Sequence, residues 1–397
     1  MIKRFIRKSL FIMPQLKYLL INKHKILKKF KIIELDSGDG QIIDTLKVFD
    51  HKYRDVNFYG EHDLSLRGGS WFSKTCVKTV RYGPGQFHAF SRYLKVGGVR
   101  YFWEQVGVET QNNSHKNYIY TKIKKRDGVI VFANVGGTIN NYFHFICDAL
   151  PSLILSMRNV NKFNDKSRYQ VLVPVGIPEN CKKLIEDCCN KYGFAYEYIK
   201  PFDKYQFQNC VVTNYGTAMH YDFPFSQNFS VNTVAIRYLR YVLKNVYNLN
   251  IEAKNSEQAR NIYLTRSTQK RLGGRHVLNS EELARALIEL DFTVIDPAHL
   301  DTNEAVKLYA NCTFMVLDGG AALANAIFMP KGSKVGILAM KSGTDTSLFR
   351  SYCQSLGVDC FYVTGDPDED SHTESWHKNY YIDSLKLKEA ISDVRNQ

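Results

Sequence analysis

The sequence predicts an α/β protein of two parallel-stranded halves facing a cleft, with a β-rich N-terminal addition. Three observations point there. The chain has 397 residues, more than the roughly 250–300 at which a single hydrophobic core stops growing. From residue 128 onward, short apolar strand-like runs alternate with helical ones over short loops, the pattern of a parallel sheet with helices on both faces. One polar stretch without periodicity, 248–260 (NLNIEAKNSEQAR), divides that alternation and reads as a linker.

Taken in order, residues up to 127 read as short strands (Gln41–Val48, Cys76–Arg81, Arg100–Phe102) broken by glycine-rich turns such as Gly83-Pro84-Gly85. Gly128–Ala133 is a buried strand, followed by a loop with Gly136 and Gly137 and a helix from Asn140 to Met157. Strands at Gln170–Pro174, Tyr196–Ile199 and Cys210–Thr213 follow, with helices at Glu179–Tyr192 and Val231–Tyr247. Beyond the linker the strands are Asn261–Leu264, Phe292–Ile295, Thr313–Leu317, Ser333–Leu338 and Cys360–Val363. The helices between and after them are Ser280–Leu290, Asn303–Ala310, Ala321–Phe328, Leu348–Leu356 and Ser384–Val394. The expected division is a leader over 1–34, an acceptor-side domain over 35–250 and a second domain over 258–370. A tail over 371–397 has its helix packing back across both.

Composition narrows the function classes. With 44% hydrophobic and 23% charged residues, the chain is neither a disordered nor a disulfide-scaffold protein. No apolar run nears the roughly 20 residues that span a bilayer. The net charge of +14 is unevenly placed: residues 1–33 hold ten Lys and Arg and no acid. The other 364 residues hold 43 basic and 39 acidic side chains, a net +4. The body therefore lacks the charge of a nucleic-acid-binding domain, and no nucleic-acid partner is expected. The leader interleaves its charge with Phe5, Ile6, Leu10, Phe11, Ile12, Leu16, Leu19 and Leu20. Such a segment suits an anionic membrane surface over residues 1–31, or packs as a solvated arm on the first domain. Without an export signal, the nine cysteines read as reduced thiols, mostly core filler, and the expected location is the cytoplasm.

Two clusters could carry chemistry. At the end of the strand Asn261–Leu264 stands Arg266, with Lys270, Arg271 and Arg275 after it. Guanidinium groups at a strand's carboxyl end suit a phosphate, which they bind bidentately with a permanent charge; one such arginine alone would be an ordinary surface residue. Leu317-Asp318-Gly319-Gly320-Ala321 then runs a strand into two glycines and a helix of small residues through Asn325. Its exposed N–H groups would hold a diphosphate. It is not a GxGxxG, so a nicotinamide dinucleotide is the weaker reading. Asn279 with Glu282 forms a capping box. In the first half, His144 and Asp148 stand i and i+4 on one helix face after Asn141, close enough to meet. A carboxylate that fixes an imidazole's tautomer makes a general base for a hydroxyl; the alternative is a satisfied core histidine. The acidic run Asp366–Asp370 reads as solvated rather than as a metal site.

These pieces, in order, resemble family 61 glycosyltransferases: NYFHFICDALPSLI (Asn141–Ile154), NIYLTRS (Asn261–Ser267) with Arg271 and Asn279, and GGAALANAIFMPKGS (Gly319–Ser333). The family includes bacterial capsule and lipopolysaccharide enzymes, and the likeness covers about 128–340. It implies a GT-B fold of two Rossmann-like domains, inversion at the anomeric carbon, a nucleotide-sugar donor in the second domain, and no required metal or cofactor. Donor contacts would fall to Arg266, Arg271, Asn279, Gly319, Gly320, Ala321 and Asn325. Asn141 and Gly137 would lie on the acceptor side, and His144 or Asp148 would be the base. Many relatives carry His-Gly-Ala where this chain has Gly319-Gly320-Ala321, so that imidazole is missing here. The function expected from the resemblance is sugar transfer to a glycan or lipid-linked acceptor in bacterial surface polysaccharide synthesis, by a cytoplasmic enzyme. It would be peripheral to the inner face of the plasma membrane if the leader engages it. The alternative is a non-catalytic sugar- or glycan-binding protein of the same fold.

Overall fold

A computed structural model describes residues 40–46, 56–60, 77–88, 93–96, 99–102, 122–131, 141–162, 166–174, 177–199, 203–213, 217–222, 226–250, 260–266, 276–341, 346–368 and 378–397. The leader 1–34, Gly137 and Arg271 lie outside them. In chain order the first half comprises β1 (Gly40–Leu46), β2 (Asn57–Tyr59), β3 (Val77–Tyr82), β4 (Gly85–His88), β5 (Tyr93–Val96), β6 (Val99–Phe102) and β7 (Lys122–Ile130). A helix α1 (142–161) follows, then β8 (Tyr169–Pro174), α2 (Glu179–Tyr192), β9 (Ala195–Ile199), β10 (Asp203–Thr213), β11 (Thr217–Asp222), β12 (Ser226–Val231) and α3 (Thr233–Tyr247). The second half comprises β13 (Arg260–Leu264), α4 (Ser280–Ile288), β14 (Phe292–Ile295), α5 (Thr302–Ala310), β15 (Cys312–Asp318), β16 (Lys334–Met340), α6 (Thr346–Leu356), β17 (Asp359–Pro367), β18 (Tyr380–Tyr381) and α7 (Ser384–Asn396).

The first sheet runs β6-β5-β4-β10-β7-β8-β9, with β3 also paired to β10 and β1 paired to β3. Its strands β10, β7, β8 and β9 are parallel, while β3 and β4 join β10 antiparallel. The second sheet runs β14-β13-β15-β16-β17 with every pair parallel. Relative to chain order this is 2-1-3-4-5, so the strand order reverses between β13 and β15, the point at which open α/β sheets bind ligands beyond the strands' carboxyl ends.

The division between the halves is less clean than the sequence suggests. β2, from the N-terminal region, pairs with β17 of the second sheet, Phe361 opposite Asn57 and Val363 opposite Tyr59. Thr364 Oγ1 donates to the Tyr59 carbonyl at 3.2 Å, and the Tyr59 and Phe361 rings meet edge to face. One continuous apolar core also joins the halves, from Leu153, Leu184 and Leu239 to Leu323, Ile337 and Tyr352. A polar seam reinforces it. The Val231 N–H donates to Ser351 Oγ, Thr233 Oγ1 meets Ser355 Oγ at 3.1 Å, and Arg237 Nε donates to the Ser355 carbonyl. The buried Arg240 guanidinium donates to the carbonyls of Leu356 and Met329. α7 packs on the second sheet through Leu387, Ala390, Ile391 and Val394, and meets β2 of the N-terminal region at its edge. The amphipathic spacing of these residues could not say which apolar surface they would cover.

Among the described residues, no helix is long and apolar enough to cross a membrane. Seven of the eight cysteines described are buried and all eight are free thiols. Asp366, at the end of β17, is open to solvent, with Lys341 Nζ 3.9 Å from its carboxylate.

Candidate functional site

α1 opens with an Asn141 N-cap, whose side-chain oxygen accepts the Phe143 N–H at 3.0 Å. This satisfies one of the donors that every helix start leaves unpaired. The next turn is not regular: Phe145–Ala149 forms a π-helical turn before the α-helix resumes. Such single-turn bulges recur at functional sites. His144 Nδ1 lies 3.0 Å from Asp148 Oδ2. Asp148 is 1% exposed and its other oxygen, Oδ1, is buried with no partner among the described residues. The His144 side chain is 37% exposed. With Nδ1 donating to the carboxylate, Nε2 carries the lone pair, which is the tautomer a general base needs.

The neighbouring residue fixes where this turn sits. Phe143 is buried, with its ring centroid 5.1 Å from both Phe349 and Tyr352 of α6. Tyr142–His144 also packs on the helix that follows Gly320. That helix occupies Ala321–Phe328 as expected and is wound as a 3₁₀ helix over its whole length. It buries Asn325 and leaves Ala321 half-buried. The small residues allow this tight winding, which brings the second half against α1.

Arg266 approaches the same helix from β13. A side chain on Gly320 would overlap its Nη2, so the guanidinium lies over the glycine. Gly320 has φ +143° and ψ −147°, a region that essentially only glycine occupies. Gly319 donates its N–H to the Leu338 carbonyl at 2.8 Å, and a Cβ there would stand 2.7 Å from that oxygen. The backbone therefore has no room for a side chain at position 319. Arg266 and Gly319–Gly320 stand beyond the carboxyl ends of β13 and β15, at the strand-order reversal. Among the described residues, Arg266 has no carboxylate within ion-pair distance. The two predicted half-sites thus border one element, the 3₁₀ helix.

Asn279 departs from expectation. Its side chain does not cap α4. Its amide donates to the Ile382 carbonyl at 2.8 Å and to Glu282 Oε2 at 3.1 Å, while its oxygen accepts the Ile382 N–H at 3.2 Å. The residue ties α4 to the chain before α7, a partner 103 residues away that the local capping pattern could not reveal.

Sequence reasoning also passed over Asp318. It is 2% exposed, accepts a hydrogen bond from Tyr263 Oη at 3.1 Å, and has its carboxyl pushed up to about 6 by burial, against the opposing pull of Arg266 and Tyr263. The signal was present: an acid closing an otherwise apolar buried strand is rarely tolerated without a partner. Among the described residues, no group of three His, Cys, Asp or Glu gathers as a metal ion would require.

Residues 142–336 match the family model described as Glycosyltransferase 61. The matched span starts at the first residue of α1 and ends within β16, enclosing the His144–Asp148 couple, Arg266 and the Gly319–Gly320 turn. No curated protein gives a significant match to the chain. Over this span the chain is similar to family 61 glycosyltransferases, which supports glycosyl transfer between a sugar donor and an acceptor.

Proposed function

We propose that the chain is an inverting, metal-independent glycosyltransferase of the GT-B class, moving a sugar from a nucleotide-sugar donor to a glycan or lipid-linked acceptor. The observation that carries this reading is the His144–Asp148 couple, bordering the same 3₁₀ helix as Arg266 and Gly320. Exposed His144 takes the acceptor hydroxyl's proton at Nε2 as the new C–O bond forms. Buried Asp148 orients the ring and stabilises the imidazolium. The nucleoside diphosphate leaves toward Arg266 and the first N–H groups of the 3₁₀ helix, with Arg271 as a further donor contact. A positioned general base is worth about 10²–10⁴ in rate. His144→Ala and Asp148→Asn should each lower turnover by such factors, read as nucleotide release from a donor panel, with donor affinity nearly unchanged. Normal turnover in both variants refutes the choice of base. Donor binding without any transfer, in wild type as in variants, would favour the non-catalytic reading that the missing imidazole at Gly319 suggests.

The acceptor class follows from the leader. Each Lys or Arg near an anionic surface contributes about 1 kcal/mol, so residues 1–31 would hold the enzyme at the inner face of a plasma membrane. A lipid-linked precursor of capsule or lipopolysaccharide would be met there. Deleting residues 1–30 should release the protein from anionic vesicles and leave transfer to a soluble acceptor intact. Vesicle binding that survives the deletion overturns this role.

A further inference from the structure

Asp318 serves neither the fold's apolar core nor the proposed base, yet it stands where a bound diphosphate would be. Its carboxylate closes β15 at the strand-order reversal. On one side it accepts the Tyr263 hydroxyl from β13. The positive charge of Arg266, two residues beyond the end of β13, and its main-chain amide both favour the ionised carboxylate. The Arg266 guanidinium lies over Gly320, two residues after Asp318. A buried acid bonded to Tyr263, the strand-exit arginine whose charge acts on it and a glycine that makes room for that arginine thus form one corner.

We propose that Asp318 is a positioning residue for the diphosphate site: bonded to Tyr263 and facing the charge of Arg266, it holds the guanidinium over Gly320 and takes up a proton when the anion binds. This rests on the donor reading of Arg266 given above. The proton uptake follows from the charges around the carboxylate. β13 brings Tyr263, the turn after it brings Arg266, and β18 brings Tyr380, whose hydroxyl donates to the Leu338 carbonyl. β16 carries only Lys334, at its far end, and Lys341 beyond its near end reaches toward Asp366. The 3₁₀ helix brings no charged side chain. Among the described residues, Arg266 is the cation that favours ionised Asp318 before an anion binds. A diphosphate engages that cation and adds negative charge beside a desolvated carboxylate, and both effects favour its neutral form. The proton comes from solvent. Since burial has already moved the carboxyl to about 6, the uptake falls near neutral pH. The sign is fixed: the anion binds more tightly below the free-site value, and the advantage fades as pH rises through the higher bound-site value.

Calorimetric titration with inorganic pyrophosphate, in two buffers of different ionisation heat, reads the protons taken up on binding. The same titration on Asp318→Asn subtracts the probe's own ionisation, which is common to both proteins. Wild type should take up an additional fraction of a proton around pH 6–7, and its affinity should fall by up to tenfold per pH unit relative to the variant. Arg266→Ala should weaken binding in both backgrounds. Tyr263→Phe, which loses the hydroxyl that favours the ionised form, should move the uptake to higher pH, a change that a purely structural role would not produce. Arg266-dependent binding with equal proton uptake in wild type and Asp318→Asn overturns the proposal and leaves the donor site standing. Absence of pyrophosphate binding to wild type overturns both.

Discussion

Gly320→Ala is the most direct test of how the donor corner is built. The substitution acts twice. Alanine at φ +143°, ψ −147° costs about 1–3 kcal/mol of backbone strain, seen as lost stability in urea. Its methyl group also occupies the place of Arg266 Nη2, so the guanidinium must leave the glycine. If Arg266 gives the diphosphate one charge-assisted hydrogen bond of about 1.5–3 kcal/mol, losing it weakens binding roughly 10- to 150-fold. Titration calorimetry with uridine, cytidine and guanosine diphosphates in turn would measure this on the tightest ligand. Arg266→Ala provides the control. In that background Gly320→Ala should add no more than about twofold, because residues acting through one contact are not additive. An equal loss from Gly320→Ala with and without the arginine refutes the reasoning and leaves Gly320 a purely conformational residue.

Two further outcomes are expected. Asn279→Ala should lower stability by about 1–3 kcal/mol through its lost bonds to the Ile382 backbone while leaving nucleotide affinity unchanged; a weakened affinity would support the donor role that the family resemblance implies. For Asp318, raised to about 6 against about 3.9 in an unfolded chain, the folded protein holds a proton between those values that the unfolded chain has released. Stability therefore declines by up to about 3 kcal/mol as pH rises from about 4 to about 6 and levels above that. Urea midpoints of wild type and Asp318→Asn should diverge across that window, and parallel curves would contradict the burial of the carboxylate.

Elements whose stabilising contacts are local were legible in the sequence. α2 spans Glu179–Tyr192 as its apolar spacing indicates, closed by Gly193 at φ +65°, and β14 occupies Phe292–Ile295 as expected. The His144–Asp148 contact follows from helix periodicity alone. Features decided by distant partners were not legible. The 3₁₀ winding of 321–328 answers to packing against α1, and the seat of Phe143 depends on aromatic residues more than 200 positions away. The continuous core joining the halves could not be inferred from a linker read as polar. Asp318 escapes the sequence reading for a different reason: the glycines beside it draw the reading toward backbone, and the strand is expected to end at Leu317, one residue before the acid.

The pairing of β2 with β17 binds the beginning of the chain to its far end. A nascent polypeptide must hold Asn57–Tyr59 in waiting while some three hundred further residues are synthesised, since the edge they complete does not exist until Phe361–Val363 emerges. Closing so long a loop slows assembly. The same dependence governs any attempt to prepare the second half by itself: a fragment starting near residue 258 would present β17 with an uncapped row of amides and carbonyls, a surface primed for self-association.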